Sequence, residues 1–257
     1  MISINNISKS FAGNHVLKNV SVEFLESKIN LIIGQSGSGK SVLLKSIVGL
    51  HTVDNGEIII DDQVFNKLPL RKKRDIRKNM GMLFQGGALF DFLTVEENIR
   101  FPLDMYTNMS ESEKNDRIEE CIKRVRLVNS NKRYPSELSG GMQKRTALAR
   151  AIVLNPSYLF CDEPTSGLDP MTAIVIDNLI REITEAYKMT TIINTHDMNS
   201  VIEMGEKVIF IHKGEKWWEG TKTDVFESDN NELNEFIFAS RLAKGYREYE
   251  RTLKNKN

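Results

Sequence analysis

Short apolar runs of β-type residues at 2–7, 20–25, 29–33, 57–60 and 80–84 mark the first third of the chain, each bounded by turn residues. A single strong helix pattern interrupts them. From Lys40 onward Leu43, Leu44, Ile47 and Leu50 recur at helical spacing, and Asp54, Asn55 and Gly56 then supply a turn. Between about 94 and 155 the signals become helical: Ser110 with Glu113 reads as a capping box ahead of an apolar face of Ile118, Ile122 and Val125. A second helix there is expected to start at Ser139, its cap, and to run without a breaker until Pro156. Strands at 158–162, 190–194 and 207–212 then alternate with helices at 170–187 and 197–204. That alternation predicts a parallel sheet covered on both faces, with the helical block inserted into an α/β core. Two more helices are expected at about 221–227 and 232–244, so residues 1–225 read as the main unit and 226–257 as a C-terminal helical extension.

Composition narrows the function classes. The chain has 257 residues, 40% of them hydrophobic and 27% charged, which is enough apolar material for a sizeable core and excludes wholesale disorder. Its 35 basic residues are matched by 35 acidic ones, so it lacks the positive excess of a dedicated nucleic-acid binder. Cys121 and Cys161 are too few for a disulfide scaffold and read as reduced core residues in a reducing compartment. The first ten residues carry no pattern of a cleaved export signal. No apolar run approaches the roughly 18 residues of a membrane-spanning helix, so a membrane role is expected to pass through a partner.

The chemistry sits at three places. Gly34, Gln35, Ser36, Gly37, Ser38, Gly39, Lys40 and Ser41 match G-x-x-x-x-G-K-[ST] between an apolar strand and a helix, the setting in which backbone N–H groups and a helix dipole cradle phosphate. Lys40 is then expected to reach the β- and γ-phosphates of ATP, and Ser41 to ligate Mg²⁺. An apolar strand ends in Asp162 and Glu163. Two adjacent acids at such an edge are costly without a cation or a catalytic task, so Asp162 is expected on Mg²⁺ and Glu163 as the base for the attacking water. Finally, Ser139, Gly140 and Gly141 open a helix, making a second anion site that the chain's own phosphate loop does not need.

Phosphate loop, Leu138-Ser139-Gly140-Gly141, a strand ending in Asp162-Glu163, Ser166-Gly167-Leu168-Asp169 and then His196 follow one another in an order that resembles the ATP-binding-cassette (ABC) ATPases over residues 1–225. The resemblance implies a P-loop fold with a RecA-like parallel-sheet core, an N-terminal antiparallel β part and an inserted α-helical subdomain. It implies that two copies pair head to tail, Ser139, Gly140 and Gly141 of one serving the γ-phosphate on the other. His196 then contacts γ-phosphate and water, Asp169 couples the two sites, and Gln85 reaches Mg²⁺ and transmits nucleotide state. Phe11 takes the place of the aromatic that stacks on adenine, with a core role as the alternative. Met142 departs from the usual glutamine, which falls one place later at Gln143.

The stretch Met82-Leu83-Phe84-Gln85-Gly86-Gly87-Ala88-Leu89-Phe90-Asp91, with Leu93-Thr94-Val95-Glu96-Glu97-Asn98 and Met142 followed by Lys144-Arg145, looks like the ATPase subunit of Mla-type phospholipid transporters that work with MCE-domain proteins. That resemblance implies a homodimer docked beneath integral membrane permease subunits at the cytoplasmic face of the inner membrane, with an MCE-domain protein and a small regulatory subunit in the same complex. Around Gln85, Met80, Met82, Phe84, Leu89, Phe90 and Phe92 offer soft surface for a permease helix, or else core. An importer ATPase for amino acids or another small solute, and a non-transport ATPase of the same fold, are the alternatives.

Overall fold

The computed structural model describes residues 1–238. An N-terminal hairpin of β1 (Ile2–Phe11) and β2 (Asn14–Phe24) is followed by β3 (Ile29–Ile33) and α1 (Lys40–Ile47). Next come β4 (Asn55–Ile60), the short β5 (Gln63–Val64), α2 (Leu70–Arg77) and β6 (Met80–Leu83). Three helices, α3 (Val95–Tyr106), α4 (Glu111–Arg124) and α5 (Gly140–Ile152), separate β6 from β7 (Tyr158–Asp162). The chain then alternates through α6 (Pro170–Tyr187), β8 (Thr190–Thr195), α7 (Met198–Met204), β9 (Lys207–His212) and β10 (Glu215–Gly220). The last elements of the described residues are α8 (Asp224–Glu227) and α9 (Asn231–Ile237). The helix expected at 232–244 lies partly beyond the described residues, as does the rest of the 226–257 extension.

Two sheets result. One is antiparallel, in the order β2-β1-β4-β5; the other runs β10-β9-β3-β8-β7-β6, parallel except for β10 at its edge. Because side chains alternate along a strand, β7 feeds two cores at once. Tyr158 and Phe160 face the small sheet together with Leu43, Leu44 and Ile47, so α1 is clamped between the sheets. Leu159 and Cys161 face the opposite way, into the core made with α3 to α7. Each fully buried large side chain there is worth roughly 1.5–3 kcal/mol relative to exposure. The consequence for the site is rigidity: the phosphate loop and the Asp162 edge are neighbouring exits from one doubly packed sheet.

Local chemistry accounts for the helix starts. Ser110 and Glu113 form the expected reciprocal cap on α4, and Thr94 with Glu97 forms another on α3, each worth about 1 kcal/mol. Ser139 caps α5, its hydroxyl accepting from the N–H of Met142 at 3.3 Å. Among the described residues no helix is long and apolar enough to cross a membrane.

Candidate functional site

The loop between β3 and α1 turns sharply because its glycines permit it. Gly34 has φ 150°, and a Cβ there would collide with the backbone carbonyl of Ile211, so no larger residue fits. The loop is tied from behind by the N–H of Gly214, which donates to the Ser38 carbonyl at 3.1 Å. Lys40 opens α1 and turns back over the loop, its Nζ donating to the carbonyls of Gly34 at 2.8 Å and Gln35 at 3.0 Å. Burial holds the Lys40 ammonium below the usual lysine range, opposed by the nearby charges of Glu163 and Asp162. A cleft of about 320 Å³ opens over this loop, lined by Val16, Ser36, Gly37, Gly39, Lys40, Ser41, Val42, Gln85 and Glu163.

Asp162 ends β7 almost fully buried. Ser41 Oγ donates to its Oδ1 at 2.7 Å, Asn194 Nδ2 donates to the same oxygen at 3.1 Å, and Lys45 Nζ lies 3.9 Å from Oδ2. A hydroxyl, a carboxylate and, across the cleft, the amide of Gln85 are all hard oxygen donors. That donor set suits Mg²⁺, which takes few protein ligands and completes its shell with phosphate oxygens and water. Among the described residues there is no cluster of three or more His, Cys, Asp or Glu side chains that would form an all-protein metal cage.

Glu163 leaves the strand with φ 48°, a left-handed conformation that costs a non-glycine residue roughly 1–2 kcal/mol. Its N–H is held by the Asn194 carbonyl at 3.0 Å. The strained turn aims its carboxylate at two partners. Gln85 Nε2 donates to Oε2 at 3.2 Å, and His196 Nδ1–H donates to Oε1 at 3.2 Å. Gln85 also donates to Ser166 Oγ at 3.4 Å. Gly34 to Ser41, Gln85, Asp162, Glu163 and His196 therefore meet in one place.

Other residues singled out in the sequence lie elsewhere. Phe11 is not among the residues lining this cleft: its ring is half in solvent, edge-on to His51 at 5.3 Å with Lys9 Nζ over its face at 5.2 Å. Ser139 and Gly140 are exposed at the start of α5. A Cβ on Gly140 would touch Leu168, and one on Gly141 would collide with Thr172, so α5 abuts the segment that carries Asp169. Asp169 caps α6, accepting from the Thr172 N–H at 3.0 Å, and those bonds hold its carboxyl below the usual range. These four residues form a second group, and none of them lines the cleft over the chain's own phosphate loop.

Three further residues belong to the site: Asn194 and Val16, which the motifs do not include, and Lys144, which the sequence reading used for the resemblance without giving it a site role. Lys144 is buried in α5, its Nζ donating to the carbonyl of Gln85 and, at 3.4 Å, to that of Glu163. Burial holds its ammonium below the usual range. The signal was available: Lys144 stands on the stripe of Gly141, Leu148 and Ile152 that faces inward. Asn194, a polar residue inside the buried strand β8, orients Asp162. Val16 of β2 brings an apolar wall to the cleft.

A family model described as ABC transporter matches residues 17–166. The probable ribonucleotide transport ATP-binding protein mkl of Mycobacterium tuberculosis is 34% identical over 94% of this chain and 67% of its own length. The methionine import ATP-binding protein MetN of Clostridium acetobutylicum is 38% identical over 92% of this chain and 74% of its own. Among solved structures, the dimeric post-hydrolysis state of the ATP-binding cassette MJ0796 bound to ADP and Pi superposes with a TM-score of 0.80 at 33% identity, covering 86% of this chain and 99% of that one. The cbiO1 subunit from Clostridium perfringens gives 0.81 at 26% identity, covering 95% and 97%.

Proposed function

This chain belongs to the ABC transporter family as an ATP-binding, ATP-hydrolysing cassette, and from that premise we propose that it is the motor subunit of a phospholipid transporter working between membranes with an MCE-domain protein. The loop amides from Gly34 to Ser41 and the Lys40 ammonium hold the β- and γ-phosphates. Ser41, Asp162 and Gln85 would hold Mg²⁺, which would supply positive charge against the phosphates. Glu163 takes the proton of the attacking water, and His196 orients that water and the γ-phosphate. The observation that carries this reading is the Glu163 carboxylate, shared between Gln85 and His196 at the lip of the phosphate-loop cleft.

The same reading takes two copies. Ser139, Gly140, Gly141 and Asp169 do not line their own cleft and would complete a partner's, and Met171 and Ile174 are exposed beside Asp169 at 74% and 51%. The similar cassettes solved as dimers support that arrangement. Closure on ATP then moves permease subunits at the cytoplasmic face of the inner membrane, and hydrolysis reopens the pair.

Phe92 supports permease docking. It is 76% exposed, whereas Phe90 is half-buried against Phe92, Phe101 and the Arg150 guanidinium. Phe84 is half-buried too. Replacing Phe90 and Phe92 together by Asp is expected to abolish co-purification with the permease while ATP binding stays within about two-fold, because neither ring lines the cleft. A variant that still co-purifies would remove this surface from the docking site.

The Mla-like residues around Gln85 and Met142 favour phospholipid as the cargo; the likeness to a methionine import subunit favours a second reading, a small-solute importer. Purifying the native complex and identifying its bound molecules by mass spectrometry separates the two. Co-purifying phospholipid is expected. A bound amino acid with no lipid would overturn the lipid reading.

A further inference from the structure

α6 holds a buried carboxylate that the chemistry above leaves unused. Asp177 lies two turns beyond the cap Asp169, is only 7% exposed, and accepts a hydrogen bond from Ser200 Oγ at 2.6 Å. Its Oδ1 is buried without a hydrogen-bond partner among the described residues. Ser200 is the third residue of α7, itself buried, and α7 begins two residues after His196. The residue between is pinned on both sides. The N–H of Asp197 donates to Thr195 Oγ1 at 2.9 Å, and its carboxylate accepts from the Asn199 N–H at 2.9 Å. α6 is thus bonded to α7 through Ser200, and the two residues that flank His196, Thr195 and Asp197, are bonded to each other and to the first turn of α7.

A carboxylate is a poor choice for packing alone, since burying it half-satisfied costs more than an apolar side chain of its size. We propose that Asp177 is a positioning residue for ATP hydrolysis: through Ser200 its negative charge holds α7 where His196 reaches Glu163, and loss of that charge slackens the hold. The ionised acid makes a charge-assisted bond with Ser200, about twice as strong as the neutral one. This inference rests on the role proposed for His196.

The surroundings set the pH at which the hold changes. Burial, first, and the charges of Asp197 and Glu203 on the α7 side push the Asp177 carboxyl up to about 6, against the Ser200 bond and Arg181 of α6, which lower it. Behind it, Cys161 of β7 feels both Asp177 and Lys144 of α5. Because the folded pKa lies above the unfolded one, the stability this group lends is lost as pH rises through about 6. The charge that orders α7 therefore weakens the fold, whereas a purely structural residue would do the reverse.

The test is steady-state hydrolysis of ATP with Mg²⁺ by the full chain between pH 5 and 8, alongside thermal unfolding. Wild-type kcat is expected to fall as pH drops through about 6. Asp177→Asn should lower kcat at pH 8 roughly five-fold with KM unchanged, lose the titration near 6, and unfold at a higher temperature than wild type at pH 8, the gap closing toward pH 5. Ser200→Ala should share the kcat defect. His196→Ala separates the claims: if it abolishes turnover while Asp177→Asn keeps the wild-type kcat and pH profile, the positioning role alone is overturned. If His196→Ala turns over normally, the histidine's role falls, and this inference falls with it.

Discussion

Glu163→Gln lowers ATP turnover by about 10²–10⁴-fold, the usual contribution of a positioned general base, while ATP remains bound. The substitution is nearly isosteric and removes one property, the capacity to take a proton. Gln at this position keeps one of the two acceptor oxygens that meet Gln85 and His196 and fills the same space, so the backbone turn at φ 48° persists while one of those two bonds is lost or reversed. None of the phosphate-binding groups is touched. Steady-state kinetics should therefore show kcat falling with little change in ATP affinity, which calorimetric titration reads separately. Turnover near the wild-type rate would falsify Glu163 as the base and leave its convergence with Gln85 and His196 to another purpose.

Lys40→Ala is expected to act one step earlier. Its ammonium already lies in the mouth of the loop, donating to the Gly34 and Gln35 carbonyls, and burial makes every bond it forms there stronger than in water. Two charge-assisted bonds to phosphate at about 1.5–3 kcal/mol each amount to a loss of at least about 10²-fold in ATP affinity. The loop itself should survive, because its shape rests on Gly34 and on the Ser38–Gly214 tie rather than on the lysine. Titration calorimetry on a variant with unchanged thermal unfolding would show this. ATP binding at wild-type strength would contradict the placement of Lys40 on the phosphates. Together the two variants split binding from chemistry, as the geometry divides them between α1 and the end of β7.

The parallel core was legible in the chain because its strands are buried on both faces: Tyr158 to Asp162 and Ile29 to Ile33 read as apolar runs interrupted only by Asn30 and the terminal Asp162, and every position in both is buried. Where an element rests on something other than apolar pattern, the reading failed. β10, Glu-Lys-Trp-Trp-Glu-Gly, alternates partly buried with exposed positions at a sheet edge and owes its existence to pairing with β9. α2 is mostly basic, with Leu70 and Ile76 as its two apolar residues, and buries no residue, so it offers no apolar stripe; Arg77 anchors it by donating to the Val48 and Gly49 carbonyls. The hairpin strand β2 begins six residues before its expected start, in a polar, exposed stretch that its pairing with β1 makes regular.

The site divides in the same way. Motif residues announce themselves because phosphate chemistry admits few alternatives, glycine where Gly34 approaches Ile211 and a hydroxyl beside a carboxylate at Ser41 and Asp162. Asn194 and Asp177 were silent, and Lys144 gave no sign of a role at the site, because their importance lies in being buried, and burial is a property of the fold. Each is a polar residue on an inward-facing position whose side chain reaches a motif residue's backbone, a motif carboxylate, or the helix that follows His196. Phe11, which the sequence order sets at the adenine, keeps its ring partly exposed beside His51 and Lys9, outside the phosphate-loop cleft itself.

The most direct measurement is the molar mass of Glu163→Gln by light scattering during gel filtration, with and without ATP and Mg²⁺. A species at twice the monomer mass only when nucleotide is present is the predicted result, since slowed hydrolysis traps the pair with its two sites filled. A monomer at every nucleotide concentration, and likewise in the presence of the membrane subunits, would contradict it.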